Sequence, residues 1–401
     1  MPPLRVYLDS SDYSVLSDPK RITNDLSAVL QTLREFKERG VISIYFSGTL
    51  LSEMAPLHSE YADAAVRRAN LLVELCGRNA MLSQDRVFSA ELRRASGQTM
   101  QLGNMHSTDG EWYPEGISDI SPLTAIQMSS QIVEAIGETG LGRKERRAAQ
   151  RLALKDGKPR AALMKAIVEN ARSGPMNEIL AKYPMRPEDA RVLGRFVVGD
   201  ATSAQAAKAF EASLKDPSWM MLWFEQNHAQ LTPFIEWTRS PAKSISSSLS
   251  EMAEHAASLR RQDAVLGTSL ANELLSAGKW ESLQDSLLCR IASRFCAEFL
   301  GDESTSMSSR MIDQACPGLS VAVRSLQSAA WTVTAGTPRK PKLSDFPDAM
   351  HAVYAPYVDI FRADSFMAPY IARQSNKYGT TTVAKLVDLS KTITERLTAR
   401  K

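Results

Sequence analysis

The first 53 residues switch three times between two periodicities, and this constrains the fold more than any other feature. In LRVYLD (4–9) Leu4, Val6 and Leu8 alternate with Arg5 and Tyr7, the period of a strand, and Asp9 falls where that strand should end. Ser10, Ser11 and Asp12 read as a capping turn before the next segment. From about 22 to 39, Ile22, Leu26, Val29, Leu30, Leu33 and Phe36 recur at helical spacing, and Gly40 stops the helix. VISIYFS (41–47) is a second strand, with the nearly continuous apolar run of a strand covered on both faces. Gly48-Thr49 then leads into a helix carrying Glu53. Strand, helix, strand, helix predicts a parallel sheet and an α/β fold.

The same pattern returns at the far end of the chain. Asp348 opens a helix-like run (Ala349, Ala352, Val353), Pro356 breaks it, and VDIF (358–361) is a short strand candidate that delivers Asp364 beyond its end. TTTVAKLVDL (380–389) is the last strand candidate, followed by a short polar helix. Between the two ends, 60–79 is helical and 95–122, which contains GNMHSTDGEWYPEG, is a connection. From about 122 to 335 no strand is legible, and apolar residues such as Leu270, Leu274, Leu275, Leu287, Leu288 and Ile291 recur at helical spacing. TPRKPKL (337–343) is a basic, Pro-bearing linker back to the α/β part. The expected organisation is an α/β domain from 1–95 and 338–401, with a mainly helical insertion over 96–337.

Composition narrows the function classes. With 48 basic and 45 acidic residues, a formal charge of +3 does not announce nucleic acid, so any basic surface must come from local clustering. The four cysteines (Cys76, Cys289, Cys296, Cys316) show no C-x-x-C and no paired His spacing, which argues against structural zinc and for buried, reduced thiols. No apolar run reaches the roughly 18 residues of a membrane span, and no signal-peptide pattern opens the chain. The expectation is a cytoplasmic protein with no membrane partner.

Acidic residues at strand ends, in a sheet built from both chain ends, point to a carboxylate metal site. Hydrolysis of a phosphodiester needs a nucleophilic water and compensation for charge on phosphate oxygens; Mg²⁺ or Mn²⁺ serves both needs and takes oxygen ligands. Strand ends of an open α/β sheet are also where ligand crevices form. Clustered carboxylates raise one another's pKa, so such a cluster is tolerated chiefly where it binds a cation. The plainer reading makes Asp9, Asp348 and Asp364 helix caps and turn residues, and Glu53 a solvated helix residue.

This acidic pattern resembles that of the PIN-domain family of metal-dependent nucleases. YLDSSDYSVL (7–16) looks like the family's first strand, with Asp9 as the first acidic ligand and Ser11 as its small polar neighbour, which the likeness places near nucleic acid. In ISIYFSGTLLSEM (42–54) Glu53 matches the second acidic residue. DAMHAVYAPYVD (348–359) is similar to the helix that begins with the third, Asp348. Where the family usually has Thr-x-Asp, this chain has Arg362-Ala363-Asp364, so Asp364 maps to the fourth and the Thr is replaced. Asp345 and Asp359 are nearby competitors, Asp359 as an alternative last ligand. The likeness covers roughly 1–80 and 340–395. It implies a Mg²⁺- or Mn²⁺-dependent endoribonuclease with Asp9, Glu53, Asp348 and Asp364 as the catalytic, metal-holding residues. RNA is favoured over DNA, and toxin or defence effector is the implied role.

Two further stretches bear on partners. GRKERRAAQRLALKDGKPR (142–160) sets Arg143, Arg147 and Arg151 four apart, on one helix face suited to phosphates or simply to solvent. DPSWMMLWFEQNHAQLTPFIEW (216–237) gathers Trp219, Trp223, Phe224, Phe234 and Trp237, rings that can stack on bases but at helical spacing more often form core. His351 beside Asp348 reads as a neighbour of the site or as a plain helix residue. The rival functions are a catalytically silent scaffold of the same fold with a protein-binding helical part, and a flap-cutting DNA nuclease. A second copy or a regulatory protein is an open partner.

Overall fold

The computed structural model describes residues 1–55, 61–99, 101–115, 132–134, 136–156, 158–160, 162–163, 184–198, 201–226, 254, 257–269, 273, 276–302, 306–335 and 345–400. They form two compact units, Met1–Trp112 with His228–Lys401, and Tyr113–Asn227.

The first unit is built on a parallel four-stranded sheet. Its strands are β1 (Leu4–Tyr7), β2 (Ile42–Tyr45), β3 (Ile360–Arg362) and β4 (Thr381–Val383), in the order β2-β1-β3-β4. β1 is central: Leu4 pairs with Ile42 and Tyr7 with Tyr45 on one side, while Val6 pairs with Ile360 and Tyr7 with Phe361 on the other. The two chain ends therefore complete one sheet. Parallel neighbours need crossovers, and helices supply them. α1 (Ser10–Leu16) and α2 (Asn24–Glu38) lead from β1 to β2, and the helix Ala368–Ser375 leads from β3 to β4. α2 is shorter than the periodicity from 22 to 39 because Thr23 caps it, accepting from Leu26 N–H, and Gly40 leaves it at φ +66°. α3 (Gly48–Met54) starts on Ser47, whose side chain accepts from Leu50 N–H. The four strands fall on four stretches expected to be strands; three are shorter than expected, and β3 starts later than VDIF and runs one residue past it to Arg362.

The helices Ala277–Phe295, Ser309–Ala315 and Pro317–Ala335 join this unit. Leu288, Ala292, Ile312 and Leu319 share one buried cluster with Tyr7, Tyr45 and Phe361 of the sheet. The second compact unit is therefore shorter than the insertion expected over 96–337, because the helices from Ala277 onward pack with the sheet. Helix Pro317–Ala335 begins on a buried carboxylate from another helix (Gln84–Ala95). Glu91 Oε1 accepts from Gly318 N–H (2.5 Å) and from the Tyr357 hydroxyl, and Oε2 accepts from Leu319 N–H (3.0 Å). A Cβ on Gly318 would lie 2.7 Å from Val353 O and 2.8 Å from Glu91 Oε1. Gly318→Ala is therefore expected to destabilise by about 1–3 kcal/mol, as overpacking of a filled core does, and a lowered urea midpoint at unchanged slope would show it.

The second unit contains the helices Arg143–Ala153, Pro187–Val198, Ser203–Leu214 and Pro217–Gln226. It also holds a two-residue antiparallel pairing of Leu154–Lys155 with Lys158–Pro159, where no strand was expected. Met220, Met221 and Trp223 are buried with Phe210 and Leu214, and Trp219 Nε1 donates to Pro184 O (2.9 Å), so these side chains are core rather than a stacking platform. Phe234 and Trp237 lie outside the described residues. Arg143, Arg147 and Arg151 are exposed on their helix. Among the described residues no helix is long and apolar enough to cross a membrane.

Candidate metal centre

Parallel strands present all their C-terminal ends at one edge, and chain order places four carboxylates there. Asp9 follows β1, Glu53 rides on α3 after β2, and Asp364 follows β3. Asp348 and His351 come from the helix Asp345–His351; three residues apart, they sit on one face of it. The side chain of Asp345 lies outside the described residues.

Asp9 is 8 % exposed and is the N-cap of α1: Oδ1 accepts from Ser10 N–H (2.8 Å) and Oδ2 from the Ser11 hydroxyl (2.5 Å). Ser11 is thus placed on Asp9. Asp12 completes a capping box by accepting from Asp9 N–H (3.1 Å). Asp364 Oδ1 likewise accepts from Met367 N–H (2.6 Å). The plainer sequence reading holds as far as it goes, Asp9 as a cap and Asp364 as a turn residue, but these roles leave lone pairs on carboxylates that converge with others.

Asp348, Asp364 and Asp9 line one small cavity with His351 and Arg362, with room of about 10 Å³, one water-sized particle. Asp348 Oδ2 is buried there without a hydrogen-bond partner. Burial, then the charges of Asp9, Asp364 and Glu53, raise the Asp348 pKa to about 8 against the opposing pull of His351. An orphaned carboxylate oxygen among other carboxylates is a deficit of positive charge, and a hard divalent cation fits that donor set.

His351, 4 % exposed, sits between the acidic residues and the sheet. Its Nδ1 lies 2.6 Å from the Tyr7 hydroxyl, which lies 2.7 Å from Ser47 Oγ. Its Nε2 lies 3.0 Å from Glu53 Oε2. Burial alone would lower the His351 pKa; Glu53, Asp9 and Asp348 outweigh it and raise the value to about 9. One ligand atom each from Asp9, Glu53 and His351 lie within 4.8 Å of one another.

Arg362 is buried, with Nε 3.2 Å from Asp12 Oδ1. Asp12 is 1 % exposed. Burial raises its pKa to about 7, with Arg362 pulling down and Asp9 pushing up. Arg362→Met would leave that carboxylate buried without its cation, and a loss of about 3–5 kcal/mol is expected, read by urea denaturation at pH 8. A change below about 0.5 kcal/mol, the usual size at a surface site, would mean that Arg362 does not support Asp12.

Asp359 is a correction. It precedes β3 and so lies at the opposite edge of the sheet from Asp364. There Arg400 Nη2 (2.6 Å) holds Oδ1, and Arg5 N–H (2.7 Å) and Nε (3.4 Å) hold Oδ2. Of the two, Asp364 is the one that lines the cavity with Asp9 and Asp348.

Sequence reasoning missed Tyr7, Ser47, Asp12 and the role of Arg362, and left His351 undecided. A signal existed for Tyr7, a polar-tipped ring on the face of β1 that alternates with Leu4, Val6 and Leu8. Comparison of the chain with protein-family models, with curated proteins and with solved structures finds no match.

Proposed function

We propose that this chain is a PIN-like, divalent-cation-dependent ribonuclease, possessing an acidic centre of Asp9, Glu53, Asp348 and Asp364. The observation that carries this reading is the meeting of carboxylates from both chain ends around the unpartnered Asp348 Oδ2. These four side chains would hold Mg²⁺ or Mn²⁺. A cation bound there supplies charge compensation at the phosphate and a water nucleophile near neutral pH. Ser11 orients Asp9 through its 2.5 Å hydrogen bond. Arg362, lining the same cavity, offsets part of the acidic field that would otherwise repel a phosphodiester. The exposed Arg143, Arg147 and Arg151 of the second unit are the proposed backbone contacts. A defence or toxin role, action in the cytoplasm, and a second copy or protein regulator as partner belong to this same reading.

The test is cleavage of end-labelled RNA and single-stranded DNA of identical sequence by chelated protein, with Mn²⁺, with Mg²⁺ and with neither. Metal-dependent cutting of RNA with DNA spared is the expected result. DNA cut as fast as RNA would favour the flap-type reading, and a folded protein inert on both would favour the scaffold.

A further inference from the structure

We infer that His351 Nε2 is itself a ligand of the centre, so that the site prefers a first-row transition ion such as Mn²⁺ over Mg²⁺. This rests on the metal-site reading above and adds a nitrogen donor to it. Three observations carry it. One ligand atom each from Asp9, Glu53 and His351 lie within 4.8 Å of one another, close enough for one ion to bridge. His351 is 4 % exposed, and its Nε2 makes no hydrogen bond of good geometry although Glu53 Oε2 lies 3.0 Å away. The third is the support on the far side of the ring. Nδ1–H can donate to Tyr7 Oη (2.6 Å), and Tyr7 O–H to Ser47 Oγ (2.7 Å), which also accepts from Leu50 N–H (3.2 Å).

In that direction the Tyr7 hydroxyl accepts the Nδ1 proton, and Nε2 faces Glu53, where a bound cation would replace the proton that the carboxylates otherwise hold on the ring. Histidine ligands of metals are oriented in this way, with the second ring nitrogen donating to a fixed oxygen. The ring is further restrained against Tyr7, with centroids 5.7 Å apart. Imidazole ranks transition ions above Mg²⁺, which dehydrates reluctantly and takes oxygen donors. Asp9 and Glu53 provide the oxygen donors nearest His351, and Asp348 and Asp364 line the adjoining cavity.

The test uses the whole protein, chelated and then loaded with Mn²⁺, and reads the nitrogen-14 coupling to the Mn²⁺ electron spin by pulsed electron paramagnetic resonance. A directly bound nitrogen is expected in the wild type and is lost in His351→Gln. In parallel, calorimetric titration is expected to show the ratio of Mn²⁺ to Mg²⁺ affinity falling at least about tenfold in His351→Gln, because the nitrogen donor is replaced by an amide oxygen. Tyr7→Phe, which keeps the ring and breaks the relay, is expected to weaken Mn²⁺ about 10–100-fold and decides the matter if His351→Gln does not fold. Mn²⁺ binding without nitrogen coupling, with Tyr7→Phe unchanged in affinity, would overturn the histidine ligand and leave a carboxylate site standing. Absence of any Mn²⁺ binding in folded wild type would overturn the metal-site reading and this inference with it.

Discussion

Asp9→Asn is expected to lose at least about 100-fold of Mn²⁺-dependent RNA cleavage, since ligand contacts outrank the outer-sphere contacts worth 10–100-fold, while melting no lower than the wild type. The two halves of this expectation come from different properties of one side chain. As the N-cap of α1, Asp9 accepts from Ser10 N–H, and Asn caps a helix about as well as Asp. The helix start should survive. As one of the carboxylates around Asp348, Asp9 adds repulsion that helps raise the Asp348 pKa to about 8. Removing its charge relieves Asp348 and loses an attraction for His351, two effects that offset in the metal-free protein, and it deprives the cation of a ligand. A variant that folds as well as the wild type and cleaves nothing is the signature of a functional carboxylate. Asp9→Asn with full activity would remove Asp9 from the centre.

A loss of stability as large as that at Arg362 is expected at Glu91. Glu91→Ala would leave Gly318 N–H, Leu319 N–H and the Tyr357 hydroxyl without their acceptor in the core. Each orphaned donor costs about 1–3 kcal/mol, so a total of about 3–5 kcal/mol is a conservative expectation once partial relaxation is allowed. The same residue carries a pH dependence. Burial raises the Glu91 pKa from 4.5 to about 7, against the Tyr357 hydroxyl, the Leu319 and Gly318 N–H groups and the charge of Arg94. A carboxyl raised on folding holds its proton more tightly in the folded chain. Its contribution is complete below the ordinary carboxylate value and is lost as pH rises through about 7. Glu91→Gln cannot titrate, so the stability of wild type relative to Glu91→Gln should fall between pH 5 and pH 8 as measured by urea denaturation. Parallel stability profiles for the two proteins would rule this linkage out.

What the sequence made legible here was local. The strand LRVY, the stop at Gly40 and the acidic residues beyond each strand end are all set by a few neighbouring residues. Once the strands were taken as parallel, even the choice between Asp359 and Asp364 was within reach, since the residue before a strand and the residue after it lie at opposite edges. The rest depended on residues far apart in the chain. Tyr7 and His351 meet across 344 positions, and Glu91 caps a helix 227 positions later. Neither pair leaves a trace in spacing or composition. The helices between 277 and 335 show the same limit in another form, because a 3.6-residue apolar stripe does not reveal whether it will cover a sheet or another helix.

The most direct test of the central claim is calorimetric titration of Mn²⁺ into chelated wild-type protein and into the Asp9→Asn/Asp348→Asn double variant. Saturable binding is expected in the wild type and is expected to vanish in a double variant that remains folded. Equal binding by both proteins, or none by either, would contradict a metal centre built from the two ends of the chain.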